Sequence, residues 1–276
     1  MEEKVLLAKP IKEYMFTQLN KKISEIKQPL KLVIFQIEPT PESQIFLASK
    51  KRLAKQLGIQ CEVIQYSISI SEEEVIAKIE EVNKDNSVTG IMIQKPIPSK
   101  YDYQTLIDYI EPTKDVEGVT KSQQQTKNLI APTARSILAF MEYYQIPIKG
   151  QTIVIIGRSN IVGMPLYQIL HNQTRVYLCG RDTKNIKEII RKGNLIVIAI
   201  GEKEWLRGDM INPNCTIIDV GTNYENNRIY GDVCWEEVYP KVEKITPVPK
   251  GVGALTSLML MDNIIKAYLL QQESKK

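Results

Sequence analysis

Residues 152–166 read TIVIIGRSNIVGMPL, and this stretch decides how the second half of the chain folds. Apolar β-forming residues run into Gly157, and Gly163 follows after a short polar segment. A buried strand that ends in a glycine turn and leads into a helix is a common way to hold the pyrophosphate of a dinucleotide. Backbone N–H groups and the helix N-terminus then face the negative charge. Ser159 stands where a Gly-x-Gly-x-x-Gly motif has its second glycine, so an ordinary strand–turn–helix stays open at this point.

The next predicted strand bears on which dinucleotide would bind. Residues 175–180 read RVYLCG, and Arg181 follows them directly. At this position of a Rossmann-like fold a carboxylate selects NAD, whereas an arginine suits the 2′-phosphate of NADP. Arg158 offers a second guanidinium, while Asp182 offers a carboxylate to the ribose hydroxyls. Arg181 therefore favours NADP over NAD, and NAD or a merely solvated Arg181–Asp182 pair are the alternatives.

Composition excludes several classes of protein. A chain of 276 residues with a net charge of +4 and lysines spread among glutamates lacks the gathered basic face of a nucleic-acid-binding protein. No apolar run approaches the ~18 residues of a membrane span, so we expect a cytoplasmic protein without a membrane partner. The four cysteines share no metal-ligand spacing, and we predict no metal site. The single histidine, His171, is predicted to end a helix, so another residue must handle protons.

Helical and strand patterns alternate along the chain, which predicts an α/β protein with parallel sheets. One predicted helix has a capping box, formed by Ser71 and Glu74. The predicted strands lie at 31–38, 61–68, 90–96, 152–156, 175–179, 195–200 and 215–221. We place the domain joint near 141–149. This predicts a first α/β domain of residues 1–141 plus a C-terminal helix at 255–276, and a Rossmann-like domain of residues 142–254.

Several short motifs occur together in a fixed order. They are SQIFLASKKR at 43–52, GIMIQKPIP at 90–98, KDVEG at 114–118, the glycine turn above, IIDVG and GDV near 217–233, and TPVPKGVGALT at 246–256. This set resembles the methylenetetrahydrofolate dehydrogenase/methenyltetrahydrofolate cyclohydrolase family of FolD-type enzymes, and the resemblance covers almost the whole chain. It implies a homodimer that acts on tetrahydrofolate derivatives in a cleft between two α/β domains, with NADP bound to the second.

The resemblance also implies roles for individual residues. Lys50 corresponds to the acid/base residue, Gln94 to the glutamine that touches it, and Glu117 to the carboxylate that anchors the pterin. The other implied substrate-binding residues are Phe46, Asp115, Pro249, Gly251 and Gly253. The implied cofactor-binding residues are Gly157, Arg158, Ser159, Gly163, Arg181 and Thr222. Proton transfer near neutral pH requires a lysine with a lowered pKa, and burial has this effect. The alternative is that Lys50, Lys51 and Arg52 form an ordinary solvent-exposed basic face of a helix.

This chain departs from the family pattern around the folate. Phe46 replaces a tyrosine four residues before Lys50, Glu117 replaces an aspartate, and Lys250 replaces a glycine. Lys95 replaces an apolar residue and reads best as a solvated side chain, with a contact to a phosphate or to a glutamate tail as the alternative. We therefore expect measurable dehydrogenase and reduced cyclohydrolase activity. The alternatives are a paralogue with dehydrogenase activity only, a non-catalytic NADP-binding relative, and a two-domain amino-acid dehydrogenase, against which KDVEG and TPVP argue.

Overall fold

The computed structural model describes residues 4–226 and 228–274, except for the side chain of Glu42. Residues 1–3 and 275–276, at the two ends of the predicted first domain, lie outside the described part of the chain, as does residue 227. The elements up to the middle of the chain are α1 (Ala8–Ser24), β1 (Lys31–Ile37), α2 (Pro41–Gln56), β2 (Gln60–Tyr66), α3 (Glu72–Lys84), β3 (Gly90–Ile93), α4 (Tyr103–Asp108), α5 (Lys121–Thr126) and α6 (Pro132–Tyr143). The remaining elements are β4 (Thr152–Ile156), α7 (Gly163–Leu170), β5 (Arg175–Cys179), α8 (Ile186–Ile190), β6 (Leu195–Ile198), β7 (Thr216–Asp219), β8 (Asn223–Glu225), β9 (Arg228–Tyr230), α9 (Trp235–Val238), β10 (Lys244–Ile245) and α10 (Thr256–Glu273).

The chain forms two compact units. One, here called the Lys50 unit, comprises Met15–Pro132 and residues 257–274. The other, here called the Gly157 unit, comprises residues 4–14 and the described residues of Thr133–Thr256. Within the described residues, no helix is both long enough and apolar enough to cross a membrane.

The Gly157 unit contains a parallel sheet with strand order β10-β7-β6-β4-β5. The inner strands β6 and β7 are buried along their whole length, which explains why they read as continuous apolar runs rather than as an alternating pattern. Chain order reverses between β4 and β6, so the carboxyl ends of these two strands form a topological switch point. Open α/β sheets place their ligands there.

The Lys50 unit is built on the same principle with fewer strands. Its described strands form a parallel sheet of order β2-β1-β3, so the reversal falls between β1 and β3. Helix α3 begins at the predicted capping box, in which Glu74 N donates to Ser71 Oγ and Ser71 N donates to Glu74. Helix α10 packs in this unit, and the amide of its buried Asn263 donates to the carbonyl oxygens of Val116 and Ile130.

The division of the chain differs from the predicted boundaries. Residues 4–14 belong with the Gly157 unit because Val5 pairs with Ile245 of β10 and Leu6 N donates to the Ile245 carbonyl. The division falls at the first residue of α6, between Pro132 and Thr133, rather than near the end of this helix. Tyr144, just after α6, donates its hydroxyl to the Leu7 carbonyl. The hairpin of β8 and β9 and the short strand β10 were not among the predicted elements.

Candidate active site

Lys50 and Gln94 are in direct contact within the Lys50 unit. Gln94 follows β3 directly, its backbone N–H donates to the Phe35 carbonyl of β1, and its side chain is buried. The Lys50 ammonium, from the middle of α2, donates to Gln94 Oε1 at 2.9 Å. Burial lowers the pKa of Lys50, while the nearby Glu117 opposes this shift. The arrangement provides an amine that is easier to deprotonate than a solvated lysine.

Glu117 is the carboxylate that faces Lys50. Burial raises the pKa of Glu117 to about 7, and the positive charge of Lys50 acts in the opposite direction. Glu117 is therefore poised to exchange a proton near neutral pH, as buried functional carboxylates often are.

Asp115 holds the loop that carries Glu117. It is 1% exposed, and its two carboxylate oxygens accept hydrogen bonds from the backbone N–H groups of residues 117, 118, 119 and 120 at 2.8–3.1 Å. These four bonds satisfy the acceptor capacity of the carboxylate, so the geometry gives Asp115 a structural role instead of the implied contact with substrate. The loop it fixes presents Glu117.

Tyr103 also belongs to this cluster, although no sequence pattern pointed to it. Its hydroxyl donates to Glu117 Oε2 at 3.3 Å. The ammonium of Lys95, predicted to be a plain solvated side chain, lies 3.7 Å from the centre of the Tyr103 ring. Phe46 lies one helical turn before Lys50 on α2 and is 44% exposed. An exposed aromatic ring beside the amine is available to stack on a flat ligand.

A second candidate site is a pocket of about 520 Å³ at the switch point of the Gly157 unit. It is lined by Ile156, Gly157, Arg158, Ser159, Gly180, Arg181, Asp182, Thr183, Ile186, Ala199, Ile200, Glu202 and Trp205. Gly157 has φ of +117°, and a Cβ there would collide with the Ala199 carbonyl oxygen. A Cβ at Gly163, the first residue of α7, would collide with the Gly157 carbonyl oxygen. The glycines thus bring the helix start against the strand end, as pyrophosphate binding requires.

The two arginines of this pocket differ in their partners. Arg158 donates to Asp182 Oδ1 at 2.7 Å and to Thr183 Oγ1 at 3.3 Å, and this bond from Arg158 lowers the pKa of Asp182. The Arg181 side chain is 93% exposed and lies 3.8 Å from Glu202 Oε1. Each guanidinium group is thus paired with a carboxylate, and the Arg158–Asp182 pair is the closer of the two.

Two buried aspartates fix the loops beside this pocket. Asp219 accepts hydrogen bonds from the backbone N–H groups of Gly221, Asp232 and Val233, and burial raises its pKa to about 7. Asp232 in turn accepts from the backbone N–H groups of Ile200 and Gly201. These bonds explain the IIDVG and GDV motifs in structural terms. The implied cofactor residue Thr222 is exposed just after Gly221, and the pocket as lined by the described residues does not include it.

The implied substrate residues Pro249, Gly251 and Gly253 lie in the segment that follows β10. Pro249 and Gly253 are exposed, whereas Gly251 is buried and a Cβ there would collide with the Pro247 carbonyl oxygen. Between them, Lys250 has φ of +80°, a conformation that favours glycine. The Lys250 carbonyl accepts the backbone N–H of Ala8 at 3.0 Å, which ties this loop to the N-terminal segment.

Comparisons with known proteins agree with this geometry. Residues 6–117 match the model of the tetrahydrofolate dehydrogenase/cyclohydrolase catalytic domain, and residues 131–272 match that of the NAD(P)-binding domain of the same family. The bifunctional protein FolD of Lactobacillus helveticus is 36% identical over 272 residues, which cover 95% of this chain and 96% of that protein. The bifunctional protein FolD of Clostridium perfringens is 36% identical over 273 residues, covering 96% of this chain and 99% of that protein.

Among solved structures, the bifunctional 5,10-methylenetetrahydrofolate dehydrogenase/cyclohydrolase of Thermoplasma acidophilum superposes with a TM-score of 0.92 at 32% identity. The match covers 98% of this chain and 100% of that one. Both domain models, the full-length relatives and the fold all point to one assignment. The chain belongs to the tetrahydrofolate dehydrogenase/cyclohydrolase family and is a FolD-type enzyme.

Proposed function

We propose that this protein oxidises 5,10-methylenetetrahydrofolate to 5,10-methenyltetrahydrofolate with NADP and then hydrolyses the product to 10-formyltetrahydrofolate. The observation that carries this proposal is the half-buried Lys50 amine, which donates to Gln94 at 2.9 Å and faces Glu117. Membership of the family supplies the reaction class. The Lys50 cluster supplies a group suited to the proton transfers of the second step.

Lys50 acts as the acid/base residue. In its neutral form the amine takes a proton from the water that adds to the methenyl carbon. In its charged form it returns a proton to the nitrogen that leaves when the ring opens. Because burial lowers the pKa of Lys50, its neutral form is populated at a lower pH than the neutral form of a solvated lysine. General acid–base catalysis of this kind contributes about 10²–10⁴ in rate.

Three further residues complete the site. Gln94 holds the Lys50 nitrogen, Glu117 accepts hydrogen bonds from the pterin ring in its ionised form, and the Phe46 ring stacks on a flat part of the folate. Phe46 carries no hydroxyl, so the hydrolytic step lacks a phenol on this helix face. We therefore propose that dehydrogenase activity, which depends mainly on positioning two ligands, exceeds cyclohydrolase activity.

The pocket of the Gly157 unit suits NADP. The close approach of Gly157 and Gly163 leaves the N-terminus of α7 open to a pyrophosphate, and Arg158 and Arg181 offer guanidinium groups to a 2′-phosphate. Bound NADP would supply the acceptor for the hydride that leaves the one-carbon bridge of the folate. Ser159, at the same turn, adds an exposed hydroxyl to the phosphate site. The two arginines favour NADP over NAD.

We also propose that the protein works in the cytoplasm as a homodimer, as the family resemblance implies. Sedimentation analysis of the purified protein measures the oligomeric state directly. A monomer at micromolar concentration, with full activity, would remove the dimer from the proposal without affecting the reaction.

Two separate assays of the purified chain test the proposed reactions. The first follows NADP reduction that depends on added methylenetetrahydrofolate, with NAD in parallel. The second follows loss of methenyltetrahydrofolate by hydrolysis, without any nucleotide. We expect turnover in both assays, with the hydrolysis slower. NADP binding without turnover in either assay would identify a non-catalytic relative instead.

A further inference from the structure

Tyr103 contacts the carboxylate of Glu117 from outside the set of residues assigned to catalysis and substrate binding. It is the first residue of α4. Asp102 caps this helix, because its carboxylate accepts hydrogen bonds from the backbone N–H groups of Gln104 and Thr105. From this position the Tyr103 hydroxyl donates to Glu117 Oε2 at 3.3 Å. Burial raises the pKa of Tyr103, so its hydroxyl stays protonated and remains a donor at every pH at which the enzyme would work.

The side chain of Lys95 lies over the face of the Tyr103 ring. Its ammonium lies 3.7 Å from the ring centre, within the range of a cation–π interaction. The backbone carbonyl of the same residue accepts a hydrogen bond from Gln94 Nε2 at 2.7 Å. A chain of contacts therefore runs from Lys50 through Gln94 and Lys95 to Tyr103 and Glu117. Glu117 and Lys50 at its two ends interact electrostatically.

Lys95 and Glu117 are two of the positions at which the sequence departs from the family pattern, and Tyr103 links them. A glutamate has one more methylene group and one more rotatable bond than an aspartate, so its carboxylate samples more orientations unless a neighbour holds it. A neutral phenol donor at fixed distance supplies such a restraint without adding charge.

We propose that Tyr103 is a positioning residue, held in place by Lys95, that orients the longer Glu117 side chain for binding the pterin. This inference rests on the proposed function and deepens it at the folate site. Tyr103 acts through Glu117 and does not itself react with the substrate.

The hydrogen bond from Tyr103 also affects the titration of Glu117. The groups that face the Glu117 carboxylate are Lys50 from α2, Lys95 after β3, Tyr103 of α4 and Asp115 of its own loop. Burial raises the pKa of Glu117 to about 7, and the bond from Tyr103 opposes that rise. Loss of the hydroxyl then raises the pKa of Glu117 further, so fewer molecules carry the ionised form at neutral pH.

The test uses Tyr103→Phe in the full-length protein, with Tyr109→Phe as the matched control, because Tyr109 ends the same helix and is exposed. For Tyr103→Phe we expect KM for methylenetetrahydrofolate at pH 7 to rise about three- to tenfold, with a smaller change in kcat. We expect the acid limb of kcat/KM to move up by about half to one pH unit. Tyr109→Phe should leave both KM and the pH dependence of kcat/KM unchanged. A wild-type KM and pH profile in Tyr103→Phe would overturn the proposal.

A second measurement separates this inference from the proposed function. Carbon-13 NMR of glutamate-labelled protein follows the titration of Glu117, assigned by its loss in Glu117→Gln, and needs no turnover. We expect Tyr103→Phe to raise the Glu117 midpoint, and an unmoved midpoint contradicts the inference even in an active enzyme. If wild-type protein does not turn over methylenetetrahydrofolate, the proposed function fails whatever the NMR result.

The Glu117→Asp background provides an independent check. The shorter carboxylate no longer reaches Tyr103, so adding Tyr103→Phe to Glu117→Asp should cause little further increase in KM. Fully additive effects of the two changes would show that Tyr103 acts elsewhere.

Discussion

Gln94 Oε1 accepts a hydrogen bond from the Lys50 ammonium at 2.9 Å, and Gln94 Nε2 donates one to the Lys95 carbonyl at 2.7 Å. The second bond fixes which end of the amide faces the lysine, because a carbonyl accepts but cannot donate. Lys50 therefore always meets an acceptor at Gln94. Its amine can lose one proton and keep this bond, so the nitrogen stays in place in both protonation states.

Replacing this amine should abolish most of the hydrolysis. We expect Lys50→Met to reduce cyclohydrolase turnover about 10²–10⁴-fold, since methionine keeps the length of the side chain but cannot transfer a proton. The control is Lys51→Met, an exposed neighbour on the same helix, which should behave as wild type. The measurement is the rate of methenyltetrahydrofolate loss. Hydrolysis that survives in Lys50→Met would remove this lysine from the mechanism.

Phe46 offers the opposite experiment, a gain of function. Phe46 and Lys50 share one face of α2, since residues four apart on a helix are neighbours. Phe46→Tyr should raise hydrolysis about tenfold, because a phenol there can hydrogen-bond the amine or the reacting water. The same change in the Lys50→Met background should give no gain. A lower rate in Phe46→Tyr would show that the site has been rebuilt around the phenyl ring.

Local patterns predicted much of the fold. The capping box at Ser71 and Glu74 and the strands on either side of Gly157 are confirmed, as is the α/β class with parallel sheets. These features depend on short-range signals: a cap three residues from its partner, an apolar run and a glycine turn. The Lys50–Gln94 contact followed from the family resemblance alone, because nothing local joins α2 to the end of β3.

Contacts between distant segments escaped prediction. The pairing of Val5 with Ile245 moves the N-terminal segment into the Gly157 unit, and a single bridge of this kind has no periodicity to reveal it. The bond from Tyr103 to Glu117 spans 14 residues and depends on the loop that Asp115 fixes. The sequence indicated which residues carry charge near the folate, and only the fold shows which of them meet.

The Arg158–Asp182 pair should govern selection between NADP and NAD. Removal of the carboxylate in Asp182→Asn frees the Arg158 guanidinium and removes a negative charge from the phosphate site. We expect the Kd of NADP to fall about three- to tenfold, as for loss of one exposed ion pair plus a like-charge contact. The Kd of NAD should change little. Calorimetric titration with each nucleotide measures both values.

Asp209→Asn is the matched control for this prediction, because Asp209 forms an exposed ion pair with Lys187 and does not line the pocket. It should leave both nucleotide affinities unchanged. If Asp182→Asn instead weakens NAD and NADP alike, Asp182 binds the ribose hydroxyls, and the alternative interpretation of this residue is correct.

Lys250 stores backbone strain that glycine would release. Its φ of +80° lies in the left-handed region, where the Cβ of an L-residue costs about 1–2 kcal/mol. Against this, glycine adds about 0.5–1 kcal/mol of conformational entropy to the unfolded chain. We therefore expect Lys250→Gly to raise the free energy of unfolding by up to about 1 kcal/mol, measured by urea denaturation.

The control is Lys149→Gly, at an exposed turn residue without positive φ. Only the entropic cost of glycine remains there, so this variant should be destabilised. Equal destabilisation of the two variants would mean that the Lys250 conformation carries no strain.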